Sequence, residues 1–181
     1  RRRDPDPRAG RRQRPVSSPP AANGHATRLP DIGPDVADDP AWAAAARASL
    51  AHTDARLDKR FDQDDGMDRI LALRARAVDH LLQDAWLRCI PAEAPMALFA
   101  VGGYGRGELF PQSDVDVLVL ASADTQQRHQ EAVARFFAML WDAGLPISHS
   151  VRSAAQCTAP AAADQTVLTA LIEERLVVGE P

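Results

Sequence analysis

The stretch 99–120, FAVGGYGRGELFPQSDVDVLVL, constrains the fold more than any other part of the sequence. An apolar run at 96–101 enters a segment holding Gly102, Gly103, Gly105 and Gly107. The chain leaves through Ser113 into Asp114-Val115-Asp116 and a second apolar run at 117–120. Two β-branched, apolar runs joined by a Gly-rich turn read as neighbouring strands, over 96–101 and 115–121. Side chains alternate along a strand, so Asp114 and Asp116 share one face while Val115, Val117 and Val119 share the other, buried one. A backbone segment without side-chain bulk therefore faces a pair of carboxylates.

Each half of this arrangement has an ordinary explanation. Glycines let the backbone approach a ligand closely, and amides exposed in such a turn suit a phosphate. A tight structural turn accounts for the same residues. The pattern is neither the dinucleotide GxGxxG nor the P-loop, whose lysine and Ser/Thr pair are absent. Two aspartates on one strand face repel each other, and Mg²⁺ relieves that repulsion by binding one or two carboxylates plus substrate phosphates and water. The alternative is a solvated strand face carrying two ordinary acids. The joined pattern, Gly-Gly, ten residues, then Asp-Val-Asp between two apolar strands, is far more specific than either half.

The surrounding chain predicts a small α/β or α+β domain. Residues 1–40 hold eight of the fourteen prolines and show no regular period, so disorder is expected there;. Seven arginines lie in the first fourteen residues. A solvated tail accounts for them, with nucleic acid or an acidic membrane as the alternative. Asp38, Asp39 and Pro40 suit the first turn of a helix. Helices are expected over 41–60, 67–90, 125–143 and 164–176, and a third strand over 146–152. On the second helix Ile70, Leu71, Leu81, Leu82 and Trp86 line one face, with Arg74, Arg76, Asp79 and Asp84 on the wet side. His80 falls beside the apolar positions, as a packed histidine rather than a ligand. Phe136, Phe137 and Trp141 follow helical spacing, which predicts core rather than a base-stacking platform. The expected organisation is a tail at 1–40, N-terminal helices at 41–92 and a core at 93–181 that is incomplete at its C-terminal end.

Composition narrows the setting. The formal net charge is −4, so no nucleic-acid partner is expected;. No stretch approaches the roughly 20 apolar residues of a membrane span, so no membrane partner is expected. Only Cys89 and Cys157 occur, without a CxxC or Cys/His cluster, which points to a reducing cytoplasm;. The sequence starts with Arg and stops at Pro181 without an obvious terminus, so a longer protein is expected around it.

The Gly-Gly turn followed by an Asp-x-Asp strand resembles the nucleotidyltransferase superfamily of the DNA polymerase β type. The fuller string GGYGRGELFPQSDVDVLVL resembles one branch, the bacterial PII-protein uridylyltransferases, which are bifunctional uridylyltransferase/uridylyl-removing enzymes. The resemblance continues through Leu140-Trp141-Asp142, His149-Ser150-Val151-Arg152, Asp164-Gln165-Thr166-Val167 and Glu174-Arg175-Leu176. It spans about 68–179. It implies a polymerase β-like core, a small mixed sheet with flanking helices, preceded by N-terminal helices. It also implies Mg²⁺-dependent transfer of UMP from UTP to a tyrosine of the PII nitrogen-signalling protein, with release of pyrophosphate.

On the same resemblance, Gly102 and Gly103 would hold the triphosphate and Asp114 and Asp116 would bind Mg²⁺. Ser113 would add a phosphate contact. For Arg106 two readings stand: neutralising triphosphate charge, or pairing with Glu108 to hold the loop. The superfamily usually adds a third carboxylate from a following strand. Here 146–152 offers His149 between Ser148 and Ser150, which matches the branch, and Asp142 and Asp164 remain as alternatives. Such enzymes continue into an HD domain that removes the uridylyl group and two ACT domains that sense glutamine, and none of these is in this sequence. Competing readings are adenylyl or other nucleotidyl transfer to a protein or small molecule, and a non-catalytic nucleotide-binding regulatory module.

Overall fold

The computed structural model describes residues 38–161 and 173–180. Helix α1 (Asp39–Phe61) starts where Asp38 accepts the Ala41 N–H at 2.8 Å, with Pro40 in the first turn, so an orphan donor is satisfied and the fixed proline φ is used;. After a short turn, α2 (Met67–Cys89) runs until Pro91 forbids its continuation;. Then follow β1 (Met96–Ala100), one helical turn α3 (Gly102–Gly105), β2 (Val115–Ala121), α4 (Ala123–Arg128) and α5 (Gln130–Asp142). The described chain ends with β3 (Ile147–Arg152), α6 (Ala154–Ala161) and β4 (Arg175–Gly179).

The four strands form one mixed sheet in the order β3-β2-β1-β4. β1 pairs antiparallel with β2 and β4, whereas β2 and β3 run parallel. The expected fold, a small mixed sheet with flanking helices, is what the chain forms. One sheet face carries Met96, Leu98 and Ala100 beside Val115, Val117 and Val119. These residues share a continuous core with Trp42, Val78, Leu82, Trp86, Phe136 and Leu140 from α1, α2 and α5. Trp86 meets Phe136 edge to face at 5.3 Å and Phe137 is buried beside it, so the aromatic spacing signals core for these two, whereas Trp141, expected in the core, is exposed at the last turn of α5;. Asp116, Leu118 and Leu120 lie on the opposite face.

Several expectations need correction. The helix expected over 125–143 is broken at His129, whose φ of −114° and ψ of 19° separate α4 from α5. The glycine stretch is one turn of helix rather than an open turn. The helix expected over 164–176 lies outside the described residues for 164–172, and Arg175 and Leu176 belong to β4. There, pairing with Phe99 and Ala100 of β1 overrides the local helical spacing. The wet side of α2 is only partly wet. Arg74 is buried, Asp79 is largely covered, and Asp84 accepts the indole N–H of Trp42. His80 is exposed rather than packed. The expected disordered tail lies outside the described residues over 1–37, and Asp39 and Pro40 already belong to α1.

Candidate active site

The glycine turn begins directly across from the carboxylate strand. The Val101 N–H donates to the Asp116 carbonyl at 3.1 Å, extending the β1–β2 ladder to the mouth of α3. Gly102 then takes a φ of +58°, a left-handed conformation that side chains strain to adopt;. A Cβ there would also stand 3.7 Å from the Asp116 carboxylate oxygen Oδ2. Gly103 follows, its Cβ position 3.8 Å from an Arg106 guanidinium nitrogen. Within the turn, the N–H groups of Gly105 and Arg106 are used by Val101 and Gly102 carbonyls at 3.0 and 3.2 Å. Those of Gly102, Gly103 and Tyr104 belong to its first turn, which has no acceptor inside a helix.

Asp116 is half-buried on β2, and Asp114 stands exposed just before the strand begins. Val115, between them, is fully buried on the face opposite Asp116, and Asp114 directly precedes it in the chain;. Neither carboxylate has a cation or hydrogen-bond donor among the described residues. Two unpaired carboxylates beside a backbone wall at Gly102 are a donor set that fits Mg²⁺, which commonly takes one or two protein carboxylates and completes its shell with phosphate and water. No third ligand joins them among the described residues.

The remaining expected residues divide. Ser113 closes a turn on the Phe110 carbonyl at 3.1 Å and delivers the chain to Asp114. Arg106 donates to Glu108 at 2.8 Å and to Glu173, which together hold its guanidinium above its ordinary pKa. His149 is not part of the site. It pairs with Val117 on the parallel β3 and its ring stacks on Phe137 at 3.9 Å, on the face covered by α5. The β3 residue level with Asp116 is Ser148. Asp142 ends α5, where its carbonyl accepts from Arg47, and Asp164 lies outside the described residues.

Three supports of the turn are not visible from local sequence. Tyr104, 1% exposed, donates its hydroxyl to Asp79 of α2 at 2.6 Å. Burial, and then the Asp79 charge, push that phenol far above its ordinary pKa, so it stays a neutral donor. Arg175 of β4 reaches both Asp79 oxygens at 2.9 and 3.0 Å. Its partial burial opposes the charge, but bonding to Asp79 outweighs that and raises its pKa. Five residues before Asp79 on α2, buried Arg74 holds Asp54 at 3.0 Å and the Phe110 and Pro111 carbonyls at 3.2 and 3.3 Å, steadying the approach to Asp114. The sequence signal for this network is Tyr104 itself, the one tyrosine of the chain, set among glycines.

Comparison with known proteins bears on this geometry. The sequence pattern of the nucleotidyltransferase domain family matches residues 91–171. A bifunctional uridylyltransferase/uridylyl-removing enzyme of Xanthomonas euvesicatoria pv. vesicatoria (strain 85-10) is 66% identical over 147 residues, 81% of this chain and 17% of the relative. The enzyme of that name from Xanthomonas campestris pv. campestris (strain B100) is 67% identical over the same shares. That of Ectopseudomonas mendocina (strain ymp) is 43% identical over 137 residues, 75% of this chain and 15% of the relative. The chain thus spans about a sixth of the length of the curated relatives it matches.

Proposed function

We propose that the site transfers UMP from UTP to a tyrosine of a PII signalling protein, a reading supported by the match of residues 91–171 to the nucleotidyltransferase domain family and by the similarity of the chain to one segment of the bifunctional uridylyltransferase/uridylyl-removing enzymes. The observation that carries the reading is the set of Asp114 and Asp116, without counter-ions among the described residues, and Gly102, whose Cβ position lies 3.7 Å from the Asp116 carboxylate. A triphosphate accompanied by a divalent cation supplies the charge that this pair lacks.

In this reading the Gly102 and Gly103 amides cradle the triphosphate, and Ser113 adds a contact beside Asp114. Asp114 and Asp116 hold Mg²⁺, which when bound neutralises phosphate charge at the reacting centre. The acceptor hydroxyl attacks the α-phosphorus; the new O–P bond forms as the bond to the β-phosphate oxygen breaks, pyrophosphate leaves, and the hydroxyl proton passes to water. Positioning and charge stabilisation suffice for such a transfer. Arg106 is held by Glu108 and Glu173 through Nε and Nη1, which supports its role in holding the loop, while its Nη2, 3.8 Å from the Cβ position of Gly103, keeps donors for a phosphate;. Residues 93–181 would carry this core and 41–92 its supporting helices, with glutamine sensed by segments other than this one and the whole acting in the cytoplasm.

The absence of a third carboxylate among the described residues favours one rival, a nucleotide-binding module without turnover. One experiment separates the readings. The full-length protein is given PII, Mg²⁺ and either UTP or ATP labelled at the α-phosphate. Label on PII and free pyrophosphate with UTP alone are expected. Label from ATP instead makes the site an adenylyl transferase. Bound UTP with no pyrophosphate released makes it a regulatory module.

A further inference from the structure

We propose that Asp79, acting through Tyr104 and Arg175, is a positioning residue that sets the shape of the glycine turn and hence its grip on a triphosphate. The inference rests on the reading of that turn as the phosphate cradle. Asp79 lies on α2, 25 residues before Tyr104 and 96 before Arg175, yet all three side chains meet. Its Oδ1 accepts the Tyr104 hydroxyl at 2.6 Å and Arg175 Nη2 at 3.0 Å, and its Oδ2 accepts Arg175 Nη1 at 2.9 Å. One carboxylate therefore ties a helix, the glycine turn and a strand.

The tie acts on the turn's backbone. From Asp79, the Arg175 guanidinium continues to the Gly105 carbonyl at 3.3 Å and the Tyr104 carbonyl at 3.4 Å, and it lies 5.4 Å from the centre of the Tyr104 ring. These carbonyls end the turn. With them fixed towards β4, the planar peptide units keep the Gly105 and Arg106 N–H groups on the Val101 and Gly102 carbonyls, which holds closed the turn whose first amides, at Gly102 and Gly103, form the cradle;. The turn also has no slack on its β4 side, since a Cβ on Gly105 would fall 2.3 Å from the Glu173 carbonyl oxygen. Tyr104 and Asp79 are too covered to touch a nucleotide, so their effect on it must pass through the turn. A misplacement of about 1 Å in a phosphoryl-transfer site costs on the order of a hundredfold in rate, which makes such a tie consequential.

The test uses the full-length protein with Tyr104→Phe, which removes one hydroxyl and keeps the ring, and Asp79→Asn. Calorimetry with Mg²⁺ and the non-hydrolysable analogue α,β-methylene-UTP is combined with the KM for UTP, the KM for the acceptor protein and thermal melting. Both variants are expected to weaken analogue binding and raise the KM for UTP by about tenfold or more, with the KM for the acceptor unchanged. Variants that melt earlier but bind the analogue and use UTP like the parent would overturn the inference and leave the network a purely structural one. If Asp79→Asn does not fold, Tyr104→Phe decides alone. A parent protein that binds no nucleotide removes the cradle reading and this inference together, whereas a failure confined to the variants removes only the inference.

Discussion

Gly105 shows how little freedom the site leaves at the level of single residues. A methyl group there would lie 2.3 Å from the Glu173 carbonyl oxygen and 3.0 Å from that of Ala100. Both obstacles are backbone, so neither can swing aside. Gly105→Ala is expected to cost about 1–3 kcal/mol, the usual range for overpacking, seen as a lower urea midpoint with an unchanged slope. It should weaken nucleotide binding as well, because relief of the clash moves the turn. The candidate residues Gly102, Gly103, Asp114 and Asp116 are legible as a group in the sequence, since they sit within fifteen positions. Asp79 and Arg74 are not. Helical spacing places both among the polar residues of α2, and their partners at Arg175, Phe110 and Pro111 are distant in sequence. His149 was misplaced for a different reason. It is one residue out of phase with Ser148, and on a strand that single step puts it on the opposite face;.

At the level of elements, local periodicity marks most helices and the β1–β2 hairpin, but neither the break at His129 nor a strand paired from far along the chain. The two strands of the hairpin and helices α1, α2 and α5 announce themselves through spacing, caps and Pro91. β4 does not, because Arg175 and Leu176 continue a helical spacing and only Val177 and Val178 hint at a strand; β1 supplies the missing information by pairing with it. α1 and α5 are joined by Arg135, whose Nε and Nη2 each reach Asp39 at 2.7 Å. Those hydrogen bonds, with a smaller opposing effect of burial, hold the Asp39 carboxyl below its ordinary value. A folded-state pKa below the unfolded one stabilises above the unfolded value, about 3.9, and that contribution is lost as pH falls through the folded value. Asp39→Asn should therefore unfold at lower urea than the parent at pH 7, and the gap should close as the pH drops below about 4. A gap that persists in acid would assign Asp39 a role other than its ion pair.

Across the whole molecule, α1, α2 and α5 bury one sheet face and leave Asp116, with Asp114 beside it, on the other. The division follows from β2 alone, whose valines fill the core while its acids face away. α2 serves both sides of that division, through core contacts at Val78 and Leu82 and through Arg74 and Asp79 at the two ends of the glycine-to-aspartate segment. The central claim is that Asp114 and Asp116 are the carboxylates of a nucleotidyl-transfer site. It is tested most directly by Asp114→Asn with Asp116→Asn in the full-length protein, measuring transfer of α-phosphate label from UTP to PII. Loss of transfer by about a hundredfold or more, with the melting temperature kept, is the expected result. A folded double variant that labels PII at the parent rate would contradict the assignment.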